Sequence, residues 1–211
     1  MPFKSVAPAT VLFLLALPMQ APARAQDYSQ MRRWCLESAP SNDLAVQGCT
    51  AVIAQSRESK DEIAAAYLYR GIASRRLGNP DQAIRDYGEA IRLRPAFSQA
   101  FNSRCYLYAI TDRLQEALKD CNEALRLDPN NQYAYDSRAF TYLKLGMLDA
   151  SIADYDAALG LQTSRPYSLF GRGVARQRKG DKAGGQADMT AARDQVPGIA
   201  EEFARYGVKF D

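Results

Sequence analysis

The sequence contains no histidine. That absence removes serine–histidine triads, cysteine–histidine dyads, histidine metal sites and histidine-based pH switching together. Cysteine is scarce, with four residues in 211, and no two stand at the short Cys-x-x-Cys spacing of a redox catalyst. Charge is nearly balanced, 27 basic against 24 acidic side chains for a formal +3. Without Lys4 and Arg24, which lie in a leader described next, the balance is 25 minus 24, or +1. Nucleic-acid binding, which needs clustered positive charge, is therefore not expected. No metal, cofactor or catalytic constellation is expected either.

Long apolar runs are also missing. Val11 to Leu17 is the pronounced one, and it falls short of the roughly 18 residues a bilayer crossing takes. Lys4 ahead of it, Pro18 behind it and Ala23-Arg24-Ala25 complete the pattern of a secretory leader, 1–25, cleaved after Ala25. No cysteine directly follows the run, so lipid attachment there has no support. The expectation is an exported, periplasmic protein with no transmembrane segment.

What the sequence does have is a period. A 34-residue unit starts at Ala64 and places Tyr67, Gly71, Gly78, Ala83, Tyr87, Ala90 and Pro95 at slots four, eight, fifteen, twenty, twenty-four, twenty-seven and thirty-two. Three further copies follow without a gap. The second reads Phe101, Cys105, Asp112, Ala117, Cys121, Ala124 and Pro129; the third reads Tyr135, Ala139, Gly146, Ser151, Tyr155, Ala158 and Thr163. The fourth, with Leu169, Gly173, Gly180, Gly185, Met189, Ala192 and Pro197, is loosened by Gly184 and Gly185. Small residues at slots eight and twenty let two antiparallel helices approach, large ones at four and twenty-four fill the spaces beside them, and proline stops the second helix.

This pattern resembles the tetratricopeptide repeat. The resemblance covers about two-thirds of the chain and implies an all-α fold: a right-handed superhelical solenoid of antiparallel helix pairs, with copies at 64–97, 98–131, 132–165 and 166–199. Residues 26–60 read as an N-terminal helical hairpin that caps the stack, with Asn42 or Asp43 capping its second helix. Its Cys49 stands one repeat plus four residues before Tyr87, which calls for a small insertion around Arg57 to Lys60. Asp112 with Gln115 resembles a capping box, and Gly78, Gly146 and Gly180 suit helix ends. Residues 198–211, with Ile199, Phe203 and Tyr206 at helical spacing, read as a C-terminal capping helix and tail.

Two periodic series depart from the family pattern or add to it. Arg70, Arg104, Arg138 and Arg172 occupy slot seven, where leucine is usual; Asp86, Asp120, Asp154 and Asp188 occupy slot twenty-three. With the hairpin turn near slot fifteen these slots lie at one height, which predicts a ladder of ion pairs; a catalytic or anion-binding array is the alternative. Cys35 with Cys49 and Cys105 with Cys121 are 14 and 16 residues apart, enough to cross one turn and face each other. Local disulfides follow if the compartment is oxidising; buried free thiols are the alternative.

The family resemblance places the interaction surface on the concave side, lined by first helices. Those slots hold Tyr69, Ile72, Arg76, Asn102, Tyr106, Tyr133, Asp136, Phe140, Lys144, Tyr167, Phe170 and Arg178. The lysine and asparagine set with which some family members clamp a peptide's terminal carboxylate is not supplied. An aromatic groove with a basic edge remains, suited to a protein or peptide partner; packing of these rings against neighbouring repeats or caps is the alternative. The basic stretch from Arg165 to Lys182 suggests an acidic partner or a solvated repeat end. The function expected is a non-enzymatic envelope scaffold or adaptor. Self-assembly through the Phe203 to Phe210 tail, or service as an accessory subunit of an envelope enzyme or assembly machine, is the other reading.

Overall fold

The computed structural model describes residues 23–55, 58–163 and 165–210. The leader expected at 1–25 lies outside these residues except for positions 23–25, which begin the first helix.

Eleven α-helices are present among the described residues, and consecutive ones pair antiparallel. They are α1 (Ala23–Leu36), α2 (Asn42–Gln55), α3 (Lys60–Arg76), α4 (Pro80–Leu93), α5 (Ser98–Ile110), α6 (Leu114–Leu127), α7 (Gln132–Lys144), α8 (Leu148–Leu161), α9 (Pro166–Lys179), α10 (Lys182–Gln195) and the short α11 (Ile199–Arg205). The second helices α4, α6, α8 and α10 are each 14 residues long and begin 34 residues apart. The fold is an all-α solenoid of hairpins.

Slots eight and twenty-four set how closely each hairpin closes. Gly71 faces the ring of Tyr87, where an added Cβ would stand 2.6 Å from Cε1, and Gly173 faces Met189 in the same relation. In the second hairpin the same two slots carry Cys105 and Cys121, joined as a disulfide with Cα atoms 5.4 Å apart. A small residue under a large one and a covalent bridge are two solutions to one spacing problem. Cys35 and Cys49 join α1 to α2 in the same way, Cα to Cα 4.5 Å, with Gly48 pressed against the backbone at Met31.

Several local expectations change. Asp112 does not cap α6, whose N-cap position is Arg113; its φ is +60°, alongside +80° at Gly78, +74° at Gly146 and +101° at Gly180. Slot fifteen demands a left-handed residue after the first helix, and aspartate tolerates that conformation better than most side chains do. The α2 cap is Ser41, whose Oγ accepts from the Leu44 amide at 3.2 Å, rather than Asn42 or Asp43. The four extra residues between the N-terminal hairpin and the first repeat appear as an added turn of α3, which is 17 residues long. That turn has its own capping box: Ser59 Oγ accepts from the Glu62 amide, and Glu62 accepts from the Ser59 amide.

Curvature follows from which helices touch. α5 packs on α7 and α7 on α9, whereas no second helix touches the next second helix. First helices therefore line the inner side of the bend.

Candidate interaction groove and the arginine ladder

The four slot-seven arginines each make a two-pronged bond to the slot-twenty-three aspartate of their own hairpin. Nε and Nη2 donate at 2.9 and 2.7 Å for Arg70–Asp86, 2.6 and 2.9 Å for Arg104–Asp120, 2.6 and 2.9 Å for Arg138–Asp154, and 2.8 and 2.8 Å for Arg172–Asp188. The aspartates are buried, between 1% and 8% exposed. Guanidinium forks match carboxylates in this geometry, and burial is tolerated because every charge has a partner.

The remaining Nη1 turns to the preceding hairpin. From Arg70 it donates to Thr50, from Arg138 to Asn122 and from Arg172 to Asp156. In the second hairpin the corresponding neighbour is Gly88, which has no side chain to accept; a Cβ there would lie 3.6 Å from Arg104 Nη1. Each arginine thus closes its own hairpin, and three of the four also stitch it to the one before. Rings at slot four lie near the guanidinium, Arg70 over Tyr67 at 5.3 Å and Arg138 over Tyr135 at 5.7 Å.

The groove residues divide into two groups. In the N-terminal half Tyr69 and Arg76 are exposed and Ile72 is half-buried. Tyr106 is half-buried with the Arg75 guanidinium 5.3 Å from its ring centre. The side-chain oxygen of Asn102 is buried and accepts no hydrogen bond from the protein. Neither Arg75 nor Arg76 is in an ion pair among the described residues.

In the C-terminal half the groove is already filled. Phe140 and Phe170 are buried because Phe203 of α11 sits on them, ring centres 5.6 and 4.8 Å apart, and Phe210 returns to Phe170 at 5.3 Å. Tyr206 reaches Phe140 at 6.3 Å and Tyr106 at 6.4 Å, edge-on to both. The expectation that these rings face an outside partner is corrected here: the chain covers them itself. Tyr167 stacks on Phe203 at 6.5 Å and donates its hydroxyl to Glu202 at 2.8 Å. Burial, then that bond, raises the Tyr167 phenol to about 12. Tyr133 remains 58% exposed, with the Arg165 guanidinium 4.6 Å from its ring.

Asp136 and Lys144 are structural in this arrangement. Asp136 accepts from Arg165 and from the Ser168 hydroxyl, tying α7 to α9; burial raises its carboxyl above the ordinary range, opposed by both partners. Lys144 Nζ pairs with Asp112 at 2.7 Å and donates to the Ala109 carbonyl at 2.9 Å. Arg178 donates to the carbonyls of Leu143 and Lys209. The basic stretch is largely spoken for, since Arg176 pairs with Asp188 and Lys179 with Asp149. The signal for the filled half was in the sequence as aromatic residues at 203, 206 and 210, but nothing in a helical period says which face of the stack such a segment covers.

Among the described residues no group of three or more histidine, cysteine or acidic side chains could hold a metal, and no helix is long and apolar enough to cross a membrane. Stacked hairpins, an internal ladder and a lined inner face define a helical-repeat solenoid, a class of protein built by stacking one unit on the next. Tetratricopeptide-repeat models match residues 68–132 and 133–164. Residues 68–164 of the chain are therefore tetratricopeptide repeats.

Solved structures share the fold. MamA from residue 41 to its end, from Desulfovibrio magneticus RS-1, superposes with a TM-score of 0.65 at 17% identity, over 86% of this chain and 97% of that one. A tetratricopeptide repeat protein from Parabacteroides merdae ATCC 43184 gives 0.65 at 18% identity, over 86% and 74%. The first such domain of Spaghetti (RPAP3), solved bound to the HSP90 peptide SRMEEVD, gives 0.55 at 22%, over 56% and 94%. At these identities the likeness is one of fold. No curated protein matches the chain in sequence.

Proposed function

We propose that the chain is a scaffold subunit of a protein assembly in the cell envelope, built as four tetratricopeptide repeats between an N-terminal disulfide-closed hairpin and a C-terminal segment. The observation that carries this reading is the division of the inner face. Its C-terminal half holds the chain's own aromatic segment, which reaches as far as Tyr106, and its N-terminal half keeps Tyr69, Ile72 and Arg76 uncovered by that segment. A partner for the open half presents an apolar or aromatic side chain to Tyr69 and Ile72 and an acidic group to Arg75 and Arg76. The Spaghetti domain, of the same fold, was solved bound to a peptide, which fits a peptide-binding use of this fold.

Export through the 1–25 leader fits the two disulfides, which persist in oxidising compartments. Cell fractionation with N-terminal sequencing tests it: a periplasmic chain beginning at Gln26 is expected, and a full-length cytoplasmic chain would remove the envelope from this reading. The scaffold role is tested by capture from oxidised envelope extract with the wild type and a Tyr69→Ala, Arg76→Glu variant of unchanged circular dichroism. Partners held by the first and lost by the second support it. Equal recovery by both would move the binding surface elsewhere. The occupied half favours a second use of the same face, self-assembly through the C-terminal segment.

A further inference from the structure

The segment Ile199–Phe210 is joined to α10 through Val196, Pro197 and Gly198, yet its principal ring contacts are not with α10. Phe203 packs on α7 and α9, Tyr206 on α5 and α7, and Phe210 on α9. It has the form of a bound peptide. Ile199, Phe203 and Tyr206 share one helical face at spacings of four and three, Gly207 turns the backbone at φ +80°, and Val208 and Phe210 then alternate inward. Polar anchors hold it at both ends, as recognised peptides are held: Glu202 accepts from Tyr167, and the Arg178 guanidinium donates to the Lys209 carbonyl.

We propose that this segment exchanges between copies, so that Ile199–Phe210 of one molecule fills the C-terminal half-groove of a second and receives that molecule's segment in return. The inference rests on the scaffold reading above and names a partner for it, a second copy of this chain. The ring contacts and anchors are the same whichever copy supplies the segment, so the balance between closed and exchanged forms is set by the linker and by concentration. The linker is short: three residues, Val196, Pro197 and Gly198, separate α10 from α11, with Val196 at φ −137° and ψ 89°, close to Arg94 and Asp128 after the earlier second helices. Nothing in it but its length distinguishes the closed from the exchanged connection. Reciprocal exchange uses both segments and both grooves and closes as a two-fold dimer.

The test uses the full, oxidised chain. Light scattering over a concentration series should show a monomer passing to a dimer. Deleting Gly198 shortens the linker without touching a packed ring and should shift the chain toward the dimer; inserting four Gly-Ser residues after Pro197 should shift it toward the monomer. A labelled peptide of sequence Gly198 to Asp211 should bind a Phe203→Ala, Phe210→Ala variant at least about tenfold more tightly than the wild type, because the competing resident segment is weakened. A chain that stays monomeric at every concentration and in both linker variants overturns the proposal, as does a peptide that binds neither protein. Such a monomer that still captures a partner through Tyr69 and Arg76 would leave the scaffold reading standing, so the two can fail separately.

Discussion

At its N-terminal end the stack is closed by a hairpin carrying a covalent bond, Cys35 to Cys49, and by Arg32 paired with Glu58 and Glu62 across to the start of α3. At its C-terminal end it is closed by a segment held through rings, Phe203 and Phe210 above all, on the inner face of the preceding hairpins. One end is tied by bonds that resist sliding and need geometry; the other by contacts that are strong in sum, non-directional and separable as a unit. Both cover the apolar flank that a terminal hairpin would leave exposed. A covalent closure fixes the end, and an apolar one leaves it able to open.

Mutations separate the two ends in order of size. Phe203→Ala removes the most deeply buried ring of the C-terminal end and should cost about 3 to 5 kcal/mol there. Hydrogen exchange should show lost protection in α9 to α11 with α1 to α4 unchanged; a uniform loss would mean the ends are not independent. Replacing Cys35 and Cys49 together by alanine should cost about 3 kcal/mol in the chain-entropy account. Here the denaturant midpoint should fall with exchange rising in α1 and α2 alone.

A smaller gain is expected in the middle. Gly88→Asn gives Arg104 the acceptor that Asn122 gives Arg138 and removes a glycine from a helix interior, for a gain of about 1 kcal/mol. An unchanged or lowered denaturant midpoint would show that the stitch between hairpins adds nothing.

The smallest effects concern pH, and they have opposite signs at the two ends. Hydrogen bonds from the Ser59 hydroxyl and amide, then from Arg32, lower the Glu62 carboxyl below its ordinary value of 4.5. The stabilisation this gives is present above that value and is lost as pH falls through the folded pKa. Tyr167 is raised from 10.0 to about 12, so its contribution is complete below 10 and is lost as pH rises toward about 12. Site-resolved NMR should find the start of α3 fraying first in acid and α11 loosening first in alkali. Ser59→Ala should flatten the acid response and Tyr167→Phe the alkaline one; if either response persists, another group controls that end.

Much of the architecture was legible because it repeats. A 34-residue spacing of small and large residues names both faces of every hairpin, and the arginine and aspartate series share that period, so their meeting follows from a turn at a fixed slot. The same regularity explains Asp112. Read alone it looks like a helix cap, but read against Gly78, Gly146 and Gly180 it is the residue in the left-handed slot. The groove was legible only in part. Slot numbers place Phe140 and Phe170 on first helices, yet their burial depends on a segment outside the period, whose direction of return no spacing encodes.

The sequence by itself determined the helical hairpin, its repeat length, the close approach at slots eight and twenty-four and the pairing of slots seven and twenty-three. Each is a local consequence of residue size, charge and a turn at constant phase. Only the tertiary structure decided that half of the inner face is taken by the chain's own C-terminal segment, that Lys144 and Asp136 serve packing rather than a partner, and that Arg104 lacks the third contact its counterparts have. Those outcomes depend on where distant segments come to rest, and a one-dimensional period carries no information about that.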